Sequence, residues 1–456
     1  MKKIFLLLSL CVLCIGSSIQ AQTFPVGSKL FLKPNLWNVD GARFAAYFFG
    51  DGGNTWTDAT AISPANDTYQ IIVPTGEWTT VIFCRMNGTL MENNWTNKWN
   101  QSPDVPYSAG NNTYNVTDWA DGAWIAPTNY SETLASADLT NYGANALQLI
   151  NSLTINNAIS NEQLATLKTA LGANTTINSI TIEGDVPTNW AENYFAACTA
   201  NPTVTINADI TLADKATTNL PYPLTMGAGK TISYTREAYT DGGWETIILP
   251  FDAAVPANFK VEKYIGKTGE TLNFETVTSM EANTAYIMKY TGTPEAALST
   301  QEITFTGTVA QTASITSDFS GVYAPEIITA AGNTEHYILQ ADGTSFALVT
   351  TLDVTVEPFR ASLDIDAPYS APVFYSIDHN GEGGTTGVSA TPPTTTSLET
   401  VGIEGGIRIT AEKAQTVQLY TVIGQLITIQ NIPQGESYIM GLAKGMYLLN
   451  NKVIVK

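Results

Sequence analysis

The stretch Ala42–Phe49, with the sequence ARFAAYFF, is short, aromatic and bounded on both sides by glycine and aspartate. Its alternate side chains should face opposite sides of a β-strand, because a strand repeats every two residues. Phe44, Ala46 and Phe48 fall on one side, and Tyr47 falls on the other. If the phenylalanines fill a core, Tyr47 faces solvent.

Similar runs surround this stretch, separated by Gly, Pro, Asn and Asp, as is typical of the strands of a sandwich. They end near Pro127, so we predict an N-terminal β-sandwich over residues 22–127. The other strands predicted for it are Lys29–Leu32, Tyr69–Val73, Thr80–Met86 and Thr113–Val116.

Residues 128–230 predict a small mixed α/β segment. Helical spacing is present in Asn145–Ile150 and in Asn161–Leu171, and the second run lies between a capping Ser160 and a terminating Gly172. Two short segments rich in β-branched residues, Asn178–Ile182 and Thr203–Ile210, are predicted to be strands. This part of the chain therefore combines helices and strands.

The remaining chain predicts more β structure, so the fold class is multidomain and mostly β. Residues 231–377 contain seven β-like runs and are predicted to form a larger β domain. Residues 378–404 are rich in Gly and Pro and predict a linker. Residues 405–456 predict a small C-terminal β-sandwich.

The N-terminus and the composition indicate an exported protein. Residues 1–21 combine two lysines, an apolar run and small residues, which predicts a secretory signal peptide. We therefore expect a secreted or cell-surface protein, and no later stretch predicts membrane insertion. The net charge of −20 argues against nucleic acid as a partner. Cys84 and Cys198 are predicted to be buried, unpaired thiols.

Seven of the nine tryptophans lie between Trp37 and Trp124. A small domain needs few such residues for its core, and the others can be used for binding. The residues around them are mainly Asn, Gln, Thr, Gly and Tyr rather than Lys or Arg. This mixture favours an uncharged ligand that carries hydroxyl groups and apolar ring faces, which describes a sugar.

Four blocks of this region resemble a starch-binding module, carbohydrate-binding module family 26, and its relatives in exported proteins of the Bacteroidetes. The resemblance covers about the first quarter of the chain. It implies a non-catalytic β-sandwich that binds α-glucan. The blocks are Phe31–Asn35, Ala42–Gly50 with Trp56, Val81–Asn87 and Asn94–Gln101.

By this resemblance, Tyr47 on a strand and Trp56 just past the following turn hold a glucose ring. The residues themselves favour a loop tip for Trp56, because it follows the glycine-rich segment 50–54. Ala46 stands where the family often has histidine. A second set is open between a further sugar contact and a structural plug: Trp95, Trp99, Asn94, Asn97 and Lys98. The other tryptophans of the region are expected to pack in the interior: Trp37, Trp78, Trp119 and Trp124.

Two later segments carry resemblances of their own. Trp244–Phe251, Ala285–Ile287 and Pro358–Ala361 resemble a β-rich domain of surface proteins from gut Bacteroidetes, for which a spacer role is favoured. Gln418–Leu426, Gly445–Leu449 and the closing Val453–Lys456 resemble the C-terminal sorting domain of the type IX secretion system. That resemblance implies a partner in the outer-membrane secretion machinery; the alternative is a simple terminal sandwich.

The sequence contains no recognisable catalytic motif, and we predict no enzyme activity, no cofactor and no metal site. The two histidines, His336 and His379, have no obvious partner set and are expected to be solvated. Asp51, Asn54 and Asp58 lack the pattern of a calcium loop. We therefore predict a non-catalytic protein that captures α-glucan. The alternatives are a structural adhesin for host glycan or protein, and a glycoside hydrolase whose carboxylates are not located.

Overall fold

The structure is a computed structural model. The predicted signal peptide and residues 381–397 of the predicted linker lie outside the residues that it describes. The described ranges are 22–63, 67–295, 299–310, 317–340, 343–365, 372–380, 398–403, 405–421, 426–442, 446–449 and 452–455.

The prediction of a multidomain, mostly-β protein is confirmed. The first strands are β1 Lys29–Lys33, β2 Arg43–Gly50, β3 Gly53–Asp58, β4 Thr60–Ser63, β5 Thr68–Ile72, β6 Thr80–Met86, β7 Lys98–Gln101, β8 Val105–Pro106, β9 Thr113–Asp118, β10 Asp121–Ile125, β11 Tyr130–Leu134 and β12 Ile150–Ile155. Helix α1 is Asn161–Leu171, and 3-10 turns cover Asn35–Trp37 and Ser136–Asn141. The next strands are β13 Ser179–Ile182, β14 Thr203–Ile206, β15 Ile210–Ala213, β16 Leu224–Met226, β17 Ile232–Tyr239, β18 Trp244–Ile247, β19 Ala253–Ala254, β20 Phe259–Thr268, β21 Thr271–Val277, β22 Ser279–Met280, β23 Tyr286–Tyr290, β24 Thr300–Gly307 and β25 Val309–Ala310. The last strands are β26 Phe319–Val322, β27 Glu326–Ile328, β28 His336–Leu339, β29 Ser345–Leu348, β30 Val354–Val356, β31 Arg360–Asp364, β32 Phe374–Asn380, β33 Leu398–Ile403, β34 Gly406–Ala411, β35 Gln415–Thr421, β36 Leu426–Ile432, β37 Gly435–Met440, β38 Met446–Leu449 and β39 Lys452–Val455.

The chain divides into two compact units. The first consists of residues 1–153, 162–178 and 195–202, and the second consists of 154–161, 179–194 and 203–456. This division does not follow the predicted domain boundaries, because strands and turns of residues 128–230 belong to both units.

An N-terminal β-sandwich forms most of the first unit. One sheet has the order β10-β9-β1-β5-β4; the other has the order β3-β2-β6-β7, with β8 also paired to β6. Apolar side chains from both sheets share one core, which includes Phe44, Phe48 and Phe83. The predicted alternation along β2 is therefore correct, because Phe44, Ala46 and Phe48 all lie in this core.

The predicted helix Asn161–Leu171 is confirmed, and Gly172 ends it with a φ of +53°. The predicted helix Asn145–Ile150 is wrong. Residues 145–149 form successive turns, Ile150 begins β12, and Asn145 has a left-handed φ of +63°. Its backbone N–H donates to Thr169 O rather than to a carbonyl of its own segment.

The second unit contains several sheets. Strands β13, β14 and β16 run parallel, and β25 is antiparallel to β16. A nine-stranded sheet has the order β18-β23-β20-β21-β32-β29-β28-β31-β26, with its own core of side chains such as Phe274, Phe319 and Phe346. Two further sheets, β33-β34-β37 and β36-β35-β38-β39, enclose a third core.

Strands reach into both ends of the predicted linker. β32 continues to Asn380, and β33 begins at Leu398. The expectation that His379 is solvated in a linker is wrong, because His379 lies in β32 opposite Phe274 of β21. His336 begins β28, as expected, and is partly exposed.

Candidate functional site

The hairpin formed by β2 and β3 brings Tyr47 and Trp56 together. Gly50 pairs with Gly53 across a two-residue turn, so the returning strand places Trp56 directly opposite Tyr47. Their ring centroids are 5.0 Å apart. Trp56 is therefore not at a loop tip as predicted, because β3 starts within the glycine-rich segment and includes it.

Tyr47 lies on the face of β2 opposite to the main core. This outer face carries a small apolar cluster in which Ala45 and Cys84 are buried and Tyr47, Phe49 and Trp56 are half-buried. The cluster supports the aromatic rings from below, while their other edges remain accessible.

Cys84 is part of this support. Burial raises the pKa of its thiol to about 12, although the nearby positive charge of Lys98 acts in the opposite direction. Cys84 and Cys198 are both free and buried, so the prediction of two unpaired thiols is confirmed.

Trp95 completes a group of three rings, which we call the aromatic triad: Tyr47, Trp56 and Trp95. The centroid of Trp95 lies 4.8 Å from that of Tyr47 and 4.9 Å from that of Trp56. The ring planes are inclined to one another by 55–65°. Trp95 is 45% exposed, so it offers the most accessible surface of the triad.

The loop of residues 87–97 carries Trp95, and Arg43 of β2 holds this loop in place. Arg43 Nε donates to Leu90 O at 2.7 Å, and Nη2 donates to Glu92 O at 2.8 Å. A third bond joins Arg43 Nη1 to the side chain of Asn93. Arg43 was not predicted as a site residue from the sequence, although its place on the Tyr47 side of β2 was the available signal.

Asn94 and Asn97 use their side chains within the same loop. Asn94 Oδ1 accepts from Asn97 N at 2.8 Å, and Asn97 Nδ2 donates to Glu92 O at 2.9 Å. Lys98 begins β7 and places its Nζ 5.2 Å from the Trp95 ring centroid, with a hydrogen bond to Gln101. Of these three predicted residues, Lys98 is the one whose charged group reaches the triad.

Trp99 is separate from the triad. In the pairing of β6 with β7, Arg85 is opposite Asn100 and Met86 is opposite Lys98. Trp99 therefore has no partner on β6 and forms a β-bulge. Its ring lies 4.6 Å from Arg85 Cζ, and the Trp119 ring lies 5.6 Å from the same atom. The sequence grouped Trp99 with Trp95, whereas the structure places it with Arg85.

The remaining tryptophans of the region differ in burial. Trp37 and Trp78 are 0% and 5% exposed, which confirms their packing role. Trp124 is half-buried against the core. Trp119 is 46% exposed, so the expectation that it packs in the interior is wrong. It lies in the tight turn between β9 and β10, where the ring has no interior to enter.

A buried carboxylate in the second unit also has close partners. Glu262 is 0% exposed and pairs with Lys260 Nζ at 2.8 Å and with His379 Nδ1. The His379 ring stacks on Trp244 with centroids 4.7 Å apart. Burial acts to raise the pKa of Glu262, but the bonds from His379 and Lys260 outweigh it and lower that pKa.

Two other features of the second unit could take a ligand. Glu335, His336 and Asp364 place ligand atoms within 4.8 Å of one another at the surface. A cavity of about 870 Å³ is lined by apolar residues such as Tyr323 and by a single described carboxylate, that of Glu326. Glycoside hydrolysis needs a pair of carboxyl groups, and the described lining of this cavity does not provide such a pair.

No protein-family model, curated protein or solved structure matches this chain. Within the described ranges, no helix combines the length and the apolar character needed to cross a bilayer. The aromatic triad is therefore interpreted from its own chemistry. It offers ring faces and edges, one nearby cation and a preordered loop, which suits binding of a ligand with apolar faces.

Proposed function

We propose that this chain is a non-catalytic, secreted or cell-surface protein that binds α-glucan such as starch through its aromatic triad. The observation that supports the proposal most is the mutual contact of the three rings, whose centroids lie within 5.0 Å of one another on the outer face of the sandwich.

The chemistry of the triad fits a sugar. The rings are held by one another and by the apolar cluster beneath them, so little side-chain freedom is lost when a ligand binds. Lys98 Nζ lies near Trp95 and can donate to a hydroxyl group. Because such a shallow contact leaves much of the ligand in water, we expect affinity between millimolar and micromolar, about −4 to −8 kcal/mol.

The choice of α-glucan among neutral polysaccharides rests on the resemblance of the first quarter of the chain to starch-binding modules. The secreted or surface location rests on the signal-like residues 1–21. The interaction of the C-terminal β-sandwich with outer-membrane secretion machinery rests on the resemblance described above. Residues 422–425, Gly445 and Lys456 of those segments lie outside the described residues.

Native gel electrophoresis with polysaccharide in the gel tests the proposal. Amylopectin should retard the full chain, whereas cellulose derivatives and mucin glycans should not. The double variant Tyr47→Ala/Trp56→Ala should bind amylopectin more weakly and therefore be retarded less than the wild type. Tyr438→Ala, which removes another exposed aromatic ring, serves as the matched control and should be retarded like the wild type.

The other outcomes are equally informative. Retardation by mucin glycans alone would replace the proposal with the adhesin alternative. Unchanged mobility in amylopectin would exclude starch binding by this chain. Release of reducing ends from maltooligosaccharides by the purified protein would contradict its non-catalytic character.

A further inference from the structure

We propose that the sandwich carries a second glycan-binding surface, formed by Trp99 and Trp119 with Arg85 between them. We call these three residues the Arg85 surface. The inference rests on the proposed function for its class of ligand, a neutral polysaccharide, and adds a site that acts independently of the aromatic triad.

Two separate backbone features bring the tryptophans to Arg85. Trp99 is the extra residue of the β-bulge in β7, and a bulge turns a side chain away from its regular direction. Trp119 lies in the turn between β9 and β10, on the other sheet. Its carbonyl oxygen accepts from Trp37 Nε1 at 3.1 Å, which ties the turn to the core.

Arg85 is held firmly between the two rings. Its Nε donates to Trp37 O at 2.7 Å, and its Nη2 donates to Val39 O and to Asp40 Oδ2, both at 2.8 Å. The guanidinium group attracts the faces of both indole rings through cation–π interactions. The rings are therefore ordered before any ligand arrives, which lowers the entropic cost of binding.

Burial separates this arrangement from ordinary packing. Arg85 is 5% exposed, whereas Trp99 and Trp119 are 40% and 46% exposed. Packing alone would place such large rings under other side chains, as it does for Trp37, which is 0% exposed. Two ordered indole rings with nearly half of their surface in water are suited to contact a ligand.

Charge and hydrogen bonding indicate the class of ligand. Asp40 compensates the charge of Arg85, so the surface offers no unpaired cation to an anionic group. The Asp40 side chain is 72% exposed and retains acceptor capacity toward water or hydroxyl groups. Apolar ring faces beside a carboxylate acceptor match a neutral sugar with several hydroxyl groups.

The Arg85 surface and the aromatic triad lie on opposite faces of β6. Cys84 supports the triad, and the next residue, Arg85, points to the other side because successive residues of a strand alternate. A short oligosaccharide therefore cannot contact both sites. A long or branched glucan can engage both, which raises its apparent affinity without new contacts.

Isothermal titration calorimetry of the full chain with maltotetraose tests the inference. We expect two sites in the wild type, one in Trp99→Ala/Trp119→Ala, one in Tyr47→Ala/Trp56→Ala, and none in the variant with all four substitutions. In amylopectin gels, each double variant should lose at least about tenfold in apparent affinity, because only one site remains. Near-ultraviolet circular dichroism confirms that each variant is folded.

One site in the wild type, together with an unchanged isotherm for Trp99→Ala/Trp119→Ala, would overturn the second site and leave the proposed function intact. The proposed function itself would be rejected if neither the wild type nor any variant released heat with maltotetraose and amylopectin left the mobility of the wild type unchanged. Asp40→Asn leaves both rings in place and provides an independent check. It should weaken one of the two sites severalfold relative to the wild type, and wild-type affinity at both sites in this variant would count against the Arg85 surface.

Discussion

Tyr47 and Trp56 stand directly opposite each other across the β2–β3 hairpin, with ring centroids 5.0 Å apart and ring planes inclined by 55°. Aromatic cross-strand pairs stabilise a hairpin in the absence of any ligand. The two residues that are proposed to bind glucan therefore also hold together the strands that present them.

The first prediction concerns this pair. A double-mutant cycle with Tyr47→Ala, Trp56→Ala and the combined variant should give a coupling free energy of about 0.5–1.5 kcal/mol in favour of the folded state. The measurement is urea-induced unfolding followed by circular dichroism. Additive effects of the two substitutions would show that the rings do not stabilise each other.

The second prediction separates binding from stability at Trp95. This ring lies in a loop and is 45% exposed, so Trp95→Ala should lower the free energy of unfolding by no more than about 1 kcal/mol. If it is an anchor for α-glucan, its loss should weaken binding by about 2 kcal/mol, roughly 30-fold. Calorimetry with maltooligosaccharides measures the affinity. Wild-type affinity in a folded Trp95→Ala protein would remove Trp95 from the site.

The third prediction concerns Arg43, which holds the loop that carries Trp95. Arg43→Gln removes the hydrogen bonds that the guanidinium group donates to Leu90 O and Glu92 O. A hydrogen bond to a charged group contributes about 1.5–3 kcal/mol to stability. Amides of residues 87–97 should exchange hydrogen faster, and glucan affinity should fall severalfold. Asp51→Asn is the matched control, because Asp51 is exposed and lies in the two-residue turn of the same hairpin, between Gly50 and Gly53. Equal exchange rates in wild type and Arg43→Gln would contradict the anchoring role.

The fourth prediction concerns Cys84. With its pKa raised to about 12 by burial, the thiol is protonated at pH 8, and iodoacetamide should not label it in the folded protein. Labelling should begin at the urea concentration at which the sandwich unfolds. A Cys198→Ala background leaves Cys84 as the single cysteine after residue 21. Rapid labelling without urea would show that the face beneath the triad is open.

The fifth prediction concerns the acid stability of the second unit. The pKa of Glu262 is lowered in the folded state, so its contribution is complete above the unfolded value of about 4.3 and is lost as the pH falls through the folded value. Wild-type stability should therefore decline below about pH 4.5. Glu262→Gln should be less stable at pH 7 and should show a smaller decline, as measured by calorimetry at several pH values. Parallel curves for the two proteins would contradict this assignment.

Local patterns predicted much of the fold correctly. The alternation along Ala42–Phe49 identified which side chains of β2 enter the core, because strand geometry depends on neighbouring residues alone. Helix α1 was predicted with its observed bounds, since its apolar spacing, cap and terminating glycine are all local signals.

The features that the sequence did not predict depend on contacts between distant residues. The position of Trp56 depends on where the hairpin begins, and a shift of one residue would turn its ring to the other face. The contact of Arg43 with the loop of residues 87–97 joins segments about half the sandwich apart. The exposure of Trp119 follows from the turn that it occupies rather than from its residue type. His379 was assigned to a linker because the glycines after it conceal the end of β32.

The parallel pairing of β1 with β9 joins residues Phe31–Lys33 to Thr113–Asn115. β1, a central strand of its sheet, therefore cannot pair on this side until β9, which follows more than eighty residues later, has been synthesised. Such distant partners slow folding, since a long loop must close before the contact is made. A ribosome or a translocation channel that releases this polypeptide from its amino end will hold an incomplete sheet with an open edge until β9 emerges. A fragment of the chain that ends before Thr113 lacks β9 and leaves one side of β1 unpaired.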